Sequence, residues 1–125
     1  MVSFDNINLE DGIPIYLQIL KYIKQGIVSG KIKNNEELPS RRVLSAFLGV
    51  NPNTIQKAYK ILEDENLIES HLGAKSYMKF DSEKISLVKN ELIENEIRKN
   101  ILSLKYMGLT REEYIKLIDK YWNEV

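Results

Sequence analysis

Two short apolar-faced segments joined by Gly49 constrain this chain more than any other feature. Ser40, in Leu38-Pro39-Ser40, is a good N-cap and predicts a helix over Arg41–Leu48, because its hydroxyl can accept from an orphan N–H of the first turn. Val43, Leu44 and Phe47 are the expected buried face of that helix. Gly49 permits a sharp turn, Val50 points inward, and Asn51-Pro52 opens a third helix as N-cap and first-turn proline. In that helix Ile55, Ala58, Tyr59 and Leu62 recur at i, i+3, i+4 and i+7, which defines a core face. The opposite face carries Asn53, Thr54, Gln56, Lys57 and Lys60. Two short helices about a tight glycine turn, the second apolar inside and polar-basic outside, describe a helix-turn-helix.

The flanks complete the unit. Pro14–Ser29 reads as a helix with proline in its first turn, an apolar stripe of Tyr16, Ile19, Leu20, Ile23 and Ile27, and Gly30 as the stop. The stretch to Glu37 is polar and reads as a loop. After the third helix Asn66 can take the left-handed conformation, and residues 67–70 and 76–80 read as two strands around a turn at Gly73. Beyond Phe80 the composition changes. Asp81 or Ser82 can cap a long helix over about 83–107 that Gly108 stops, and Thr110-Arg111-Glu112-Glu113 has capping-box spacing for a last helix to about Trp122. The expected fold is mostly α: a winged helix-turn-helix over residues 1–80, then a helical segment over 81–125.

The chain sets 18 Lys/Arg against 18 Asp/Glu, and a net charge of zero argues at first against a nucleic-acid partner. The distribution argues otherwise. Between Leu38 and Leu62 stand Arg41, Arg42, Lys57 and Lys60 with no acid, and between Ser70 and Phe80 stand His71, Lys75 and Lys79 with none. Cysteine is absent and His71 is the one histidine, which excludes disulfides and thiolate metal sites and disfavours histidine-built ones. No catalytic residue, cofactor or metal ligand is assigned, and the chain is not expected to be an enzyme. No apolar run approaches the ~18 residues of a membrane span, and the acidic Met1–Asp11 stretch does not read as a secretory signal. A cytoplasmic protein is expected.

Pro14-Ile15-Tyr16-Leu17-Gln18-Ile19, Leu38-Pro39-Ser40 with Arg42, Gly49-Val50-Asn51-Pro52-Asn53-Thr54, Ala58-Tyr59 and Leu62-Glu63 follow one another in an order and spacing that resembles the DNA-binding domain of the GntR regulators. The short tail resembles that of their YtrA-like branch. The resemblance implies a double-stranded DNA operator as partner and a regulator, a repressor in the first instance, that binds a palindrome as a homodimer. It places Arg42 beside the DNA, on a phosphate or a guanine edge. Asn53, Thr54 and Gln56, at the start of the recognition helix, are candidates for base edges, and Lys57 and Lys60 for phosphates. Arg41 is open between phosphate and solvent, and Ser40 is a cap whose hydroxyl can also meet phosphate. Tyr16 is open between the core stripe and the DNA backbone.

The family places glycines where Asn35 and Asn66 stand; asparagine tolerates the left-handed region better than other side chains, so both turns are expected to survive. In the wing Gly73 matches one family glycine and Lys75 replaces the other, which alters the tip and adds a charge within reach of phosphate. The tail helices implied for dimerisation carry their own apolar stripes, Ile85, Val88, Leu92, Ile97 or Ile101, and Leu104 in one and Tyr114, Leu117, Ile118 and Tyr121 in the other. Self-association buries such surface. A small-molecule effector in a small apolar pocket between the tail helices stays open, while no polar effector site with converging charges is visible. The competing reading is a winged-helix module that binds protein or RNA, since fold alone does not fix function.

Overall fold

Residues 1–71 and 75–125 are described by the structure, a computed structural model. Their elements run α1 (Ile15–Ser29), β1 (Glu37–Leu38), α2 (Arg41–Leu48), α3 (Pro52–Asp64), β2 (Ile68–Ser70), β3 (Ser76–Met78), α4 (Ser82–Tyr106) and α5 (Arg111–Tyr121).

Local chemistry sets most of the helix ends. Ser40 Oγ accepts from Val43 N–H at 3.1 Å and Asn51 Oδ1 from Asn53 N–H at 2.8 Å, so both expected N-caps form. Pro14 stands one position outside α1, as its N-cap residue. Gly30, Gly49 and Gly108 end α1, α2 and α4 at φ 80°, 68° and 80°. Asn35 and Asn66 take the left-handed region at φ 69° and 59°, as expected. At the end of α3, Asn66 N–H donates to the Glu63 carbonyl and Leu67 N–H to the Leu62 carbonyl. Those two bonds make a Schellman closure, and Leu62 and Leu67, the positions of its usual apolar contact, are both buried.

The chain divides into two compact units, residues 1–90 and 91–125. In the first, α3 packs against both α1 and α2. The α1 stripe (Ile19, Leu20, Ile23, Ile27) and the α3 stripe (Ile55, Ala58, Tyr59, Leu62) are buried. In α2 the buried side chains are Leu44 and Ser45, while Val43 and Phe47 are each 58% exposed. The expected face thus holds at Leu44 and is corrected at Val43 and Phe47. Eight residues offer less than three turns, and the inward positions fall at Arg41, Leu44, Ser45 and Leu48, the i, i+3, i+4, i+7 set. Lys24 is also buried, reaching Glu65 at 3.1 Å across the α1–α3 contact.

The sheet is antiparallel in the order β1-β3-β2. Ile68, Glu69 and Ser70 face Met78, Tyr77 and Ser76, and Glu37 and Leu38 face Tyr77 and Ser76 on the other side of β3. β1 lies where the stretch expected to be loop ends, at Glu37, and takes in Leu38. Two residues are too few to show alternation, and pairing with β3 is what makes them a strand. Val2 N–H donates to the Glu37 carbonyl, and Val2 and Phe4 join the core. Both hairpin strands are shorter than expected: Leu67 belongs to the closure of α3, Lys79 keeps a single bond to it, its N–H donating to the Leu67 carbonyl at 2.9 Å, and Phe80 N–H turns to Asn34 Oδ1.

Asp81, one of the two caps expected for α4, accepts from Lys84 N–H at 2.9 Å. Val88 is buried within the first unit. In the second unit the capping box forms as its spacing predicted. Thr110 Oγ1 accepts from Glu113 N–H at 3.2 Å, and the Glu113 carboxylate accepts from Thr110 N–H at 3.0 Å. Those donors, backbone N–H first and hydroxyl second, hold the Glu113 carboxyl below its ordinary pKa. Among the described residues no helix is long and apolar enough to cross a membrane.

Candidate nucleic-acid interface

On α3, Asn53, Gln56, Lys57 and Lys60 stand at i, i+3, i+4 and i+7 and all are exposed. Together they form a continuous stripe opposite the buried Ile55, Ala58, Tyr59 and Leu62. Thr54 is half-buried, with its N–H donated to the Asn51 carbonyl at 2.9 Å. The stripe therefore rides on a helix whose inner face is anchored and whose start is capped.

The N-terminal end of α2 is tied to α3 by one side chain. The Tyr59 hydroxyl donates to the Pro39 carbonyl at 2.7 Å, both groups being buried. The Arg41 guanidinium lies over the Tyr59 ring, 5.8 Å from its centroid. Burial pushes the Tyr59 hydroxyl far above its ordinary pKa against the opposing pull of Arg41, so it stays a neutral donor. Arg41 is half-buried, and its Nε is shut from solvent with no hydrogen-bond partner. It is not the freely solvated arginine that one of its two sequence readings allowed. Arg42, the next residue, is exposed. Ser40 is exposed and its hydroxyl is engaged as the cap.

The lysines differ in what holds them. Lys60 pairs with Asp64 at 3.1 Å and Lys75 with Glu37 at 3.5 Å. Lys60–Asp64 is a solvent-exposed pair of the kind worth about 0–1 kcal/mol, and in the other pair Lys75 is exposed while Glu37 is half-buried; another anion can compete with either carboxylate. Lys57 sits over the Tyr16 ring, its Nζ 4.0 Å from the centroid. Lys75 closes the described part of the hairpin, its carbonyl accepting from His71 N–H at 2.8 Å. Gly73, the expected wing turn, lies outside the described residues. The wing root is joined to α3: Ser70 Oγ donates to Glu63 Oε2 at 3.2 Å and lies 3.1 Å from Ser76 Oγ.

Sequence reasoning missed these partnerships, Tyr16 with Lys57 and Tyr59 with Pro39 foremost among them. In both, the partners come from separate elements, and local periodicity registers a tyrosine only as apolar bulk. No group of three or more candidate metal ligands occurs among the described residues.

A model of bacterial regulatory proteins, the gntR family, matches residues 15–77. The transcriptional repressor YtrA of Bacillus subtilis is 36% identical over 110 residues, covering 84% of each chain. Among solved structures, a GntR family transcriptional regulator from Listeria monocytogenes superposes with a TM-score of 0.74 at 33% identity, covering 90% of this chain and 98% of that one. YtrA from Sulfolobus acidocaldarius, a GntR-family transcription factor, matches with a TM-score of 0.56 at 30% identity over 96% of this chain and 97% of its own.

Proposed function

The chain belongs to the GntR family of bacterial regulatory proteins, DNA-binding transcription regulators, and from that membership we propose that it is a cytoplasmic repressor that binds a palindromic operator as a homodimer. The observation that carries the reading is the exposed Asn53-Gln56-Lys57-Lys60 stripe on a capped, core-anchored α3. An α-helix fits the major groove, and its first turns bring side chains to base edges. Asn53 can pair with an adenine edge and Gln56 likewise, with Thr54 supplying a hydroxyl. Lys57 and Lys60 meet phosphates, which set register without carrying sequence. Arg42 adds a guanine or phosphate contact from α2. Arg41, Ser40 and the wing, through Gly73 and Lys75, add backbone contacts.

Residues 1–80 are assigned to DNA and 81–125 to dimerisation. Support for the second part is the apolar surface left open in the tail: Ile93, Ile97, Ile101 and Leu102 on α4 and Ile115, Leu117, Ile118 and Tyr121 on α5 are each at least 38% exposed. A two-fold dimer buries such a face and presents two recognition helices to two half-sites. Repression follows from occupancy of DNA that a polymerase must use. The name of the Bacillus subtilis relative, a repressor, supports this direction.

The test is to sequence the genomic fragments retained by the pure protein, then titrate the enriched site across salt concentrations and add the protein to transcription from a promoter that carries it. A palindromic motif is expected, with an affinity that falls steeply with salt, by a log–log slope of about −0.9 per phosphate neutralised, and with less transcript. A protein- or RNA-binding module would enrich no motif and show no such slope; more transcript would make it an activator.

A further inference from the structure

Four cations stand on or beside the proposed DNA face with defined partners, and the partners are of two kinds. Lys60 and Lys75 are held by carboxylates, Asp64 and Glu37. Arg41 and Lys57 lie over tyrosine rings. The difference bears directly on binding a polyanion. A carboxylate orders a cation but cancels its charge, and an arriving phosphate must compete with it. An aromatic face orders the cation through its quadrupole and leaves the charge in place.

We propose that Tyr16 is a positioning residue for DNA binding, whose ring seats the Lys57 ammonium where it meets a backbone phosphate. The proposal rests on the reading of the α3 stripe as the DNA-facing surface.

Geometry supports the seat. Lys57 Nζ lies 4.0 Å from the ring centroid, well inside the ~6 Å over which the attraction is felt. Tyr16 is half-buried on α1, which packs against α3, and the neighbouring Ile19 and Leu20 are buried, so the ring has a fixed base. Lys57 itself is exposed, so its outer side is open to an anion. A lysine on a bare helix face loses rotamer freedom when it meets phosphate. One already seated has lost part of that freedom in the unbound protein, and such preorganisation raises affinity. Tyr16 thereby acts on DNA through Lys57 and without touching it.

The experiment compares Lys57→Ala, Tyr16→Phe, Tyr16→Leu and the Tyr16→Leu/Lys57→Ala pair, titrating each full chain against the genomic operator fragment at several salt concentrations. Lys57→Ala should weaken binding and make the salt slope shallower by about one unit. Tyr16→Phe keeps the ring and should bind as the parent does. Tyr16→Leu should weaken binding roughly two- to five-fold and have no further effect once Lys57 is alanine. Ring-current displacement of the Lys57 ε-methylene protons, measured in the parent chain and in Tyr16→Phe, reads the seat directly even if Tyr16→Leu fails to fold.

If Lys57→Ala leaves binding and slope unchanged, the DNA-face reading fails and takes the seat with it. If Lys57→Ala weakens binding but Tyr16→Leu does not, the face stands and the seat is wrong. A Tyr16→Phe chain as weak as Tyr16→Leu would show that the hydroxyl touches DNA itself. Equal losses with and without Lys57 would show that Tyr16 acts independently, and absent ring-current shifts would also overturn the proposal.

Discussion

Tyr59 fills the core with its ring, satisfies the Pro39 carbonyl with its hydroxyl and carries Arg41 on its face. Removing the hydroxyl alone leaves a buried carbonyl without its donor, which costs about 1–3 kcal/mol. Tyr59→Phe should therefore lower the unfolding free energy by that amount, seen as a lower denaturant midpoint with an unchanged slope, and a melt superimposable on the parent would contradict this. Asn53 and Thr54 are expected to behave oppositely. Neither belongs to the buried α3 stripe, so replacing both by alanine should leave stability nearly intact while operator binding drops toward the random-duplex level, by about 1–3 kcal/mol per lost base contact. A competition titration at one salt concentration decides it. Equal losses on operator and random DNA would make them positioning contacts instead. At this scale the caps Ser40, Asn51 and Thr110 were legible, because each acts within three residues of itself. The roles of Tyr59 and Tyr16 were not, because a hydrogen bond or ring seat formed across elements leaves no mark on local spacing.

Among the elements, α1 holds a glycine that helix propensity does not explain. Alanine is favoured over glycine in a helix interior by about 1 kcal/mol. At Gly26, however, a Cβ would fall 2.4 Å from Ile32 Cδ1 and 2.7 Å from Ile32 Cγ1, and Ile32 is buried. Gly26→Ala should thus destabilise the protein, by about 1–3 kcal/mol of overpacking set against the gain in propensity. Thermal or denaturant melts check the sign, and a raised midpoint would mean that Ile32 yields freely. The α1 and α3 stripes were readable because several turns repeat the pattern. The inner face of α2 was misjudged because eight residues fit two rotations of the helix almost equally. β1 was missed because its pairing with β3 comes from a segment far along the chain.

For the molecule as a whole, the order of helices, hairpin and tail was legible, and so was the character of the α3 surface. The first compact unit extends to Asn90 and buries Val88 of α4, a contact that the change of composition after Phe80 does not announce. A chain ending at Asn90 should accordingly keep the thermal transition of the first unit yet sediment as a monomer, with greatly weakened operator binding. A dimer of that truncated chain would move the principal interface out of the tail. The most direct test of a homodimer reading two half-sites is a titration, at one fixed salt concentration, of the full chain on duplexes carrying the enriched motif with both halves or with one. Two chains per duplex and an affinity at least tenfold higher for the paired site, about 1.4 kcal/mol, are predicted. Equal affinity for the two duplexes, with one chain bound to each, would contradict it.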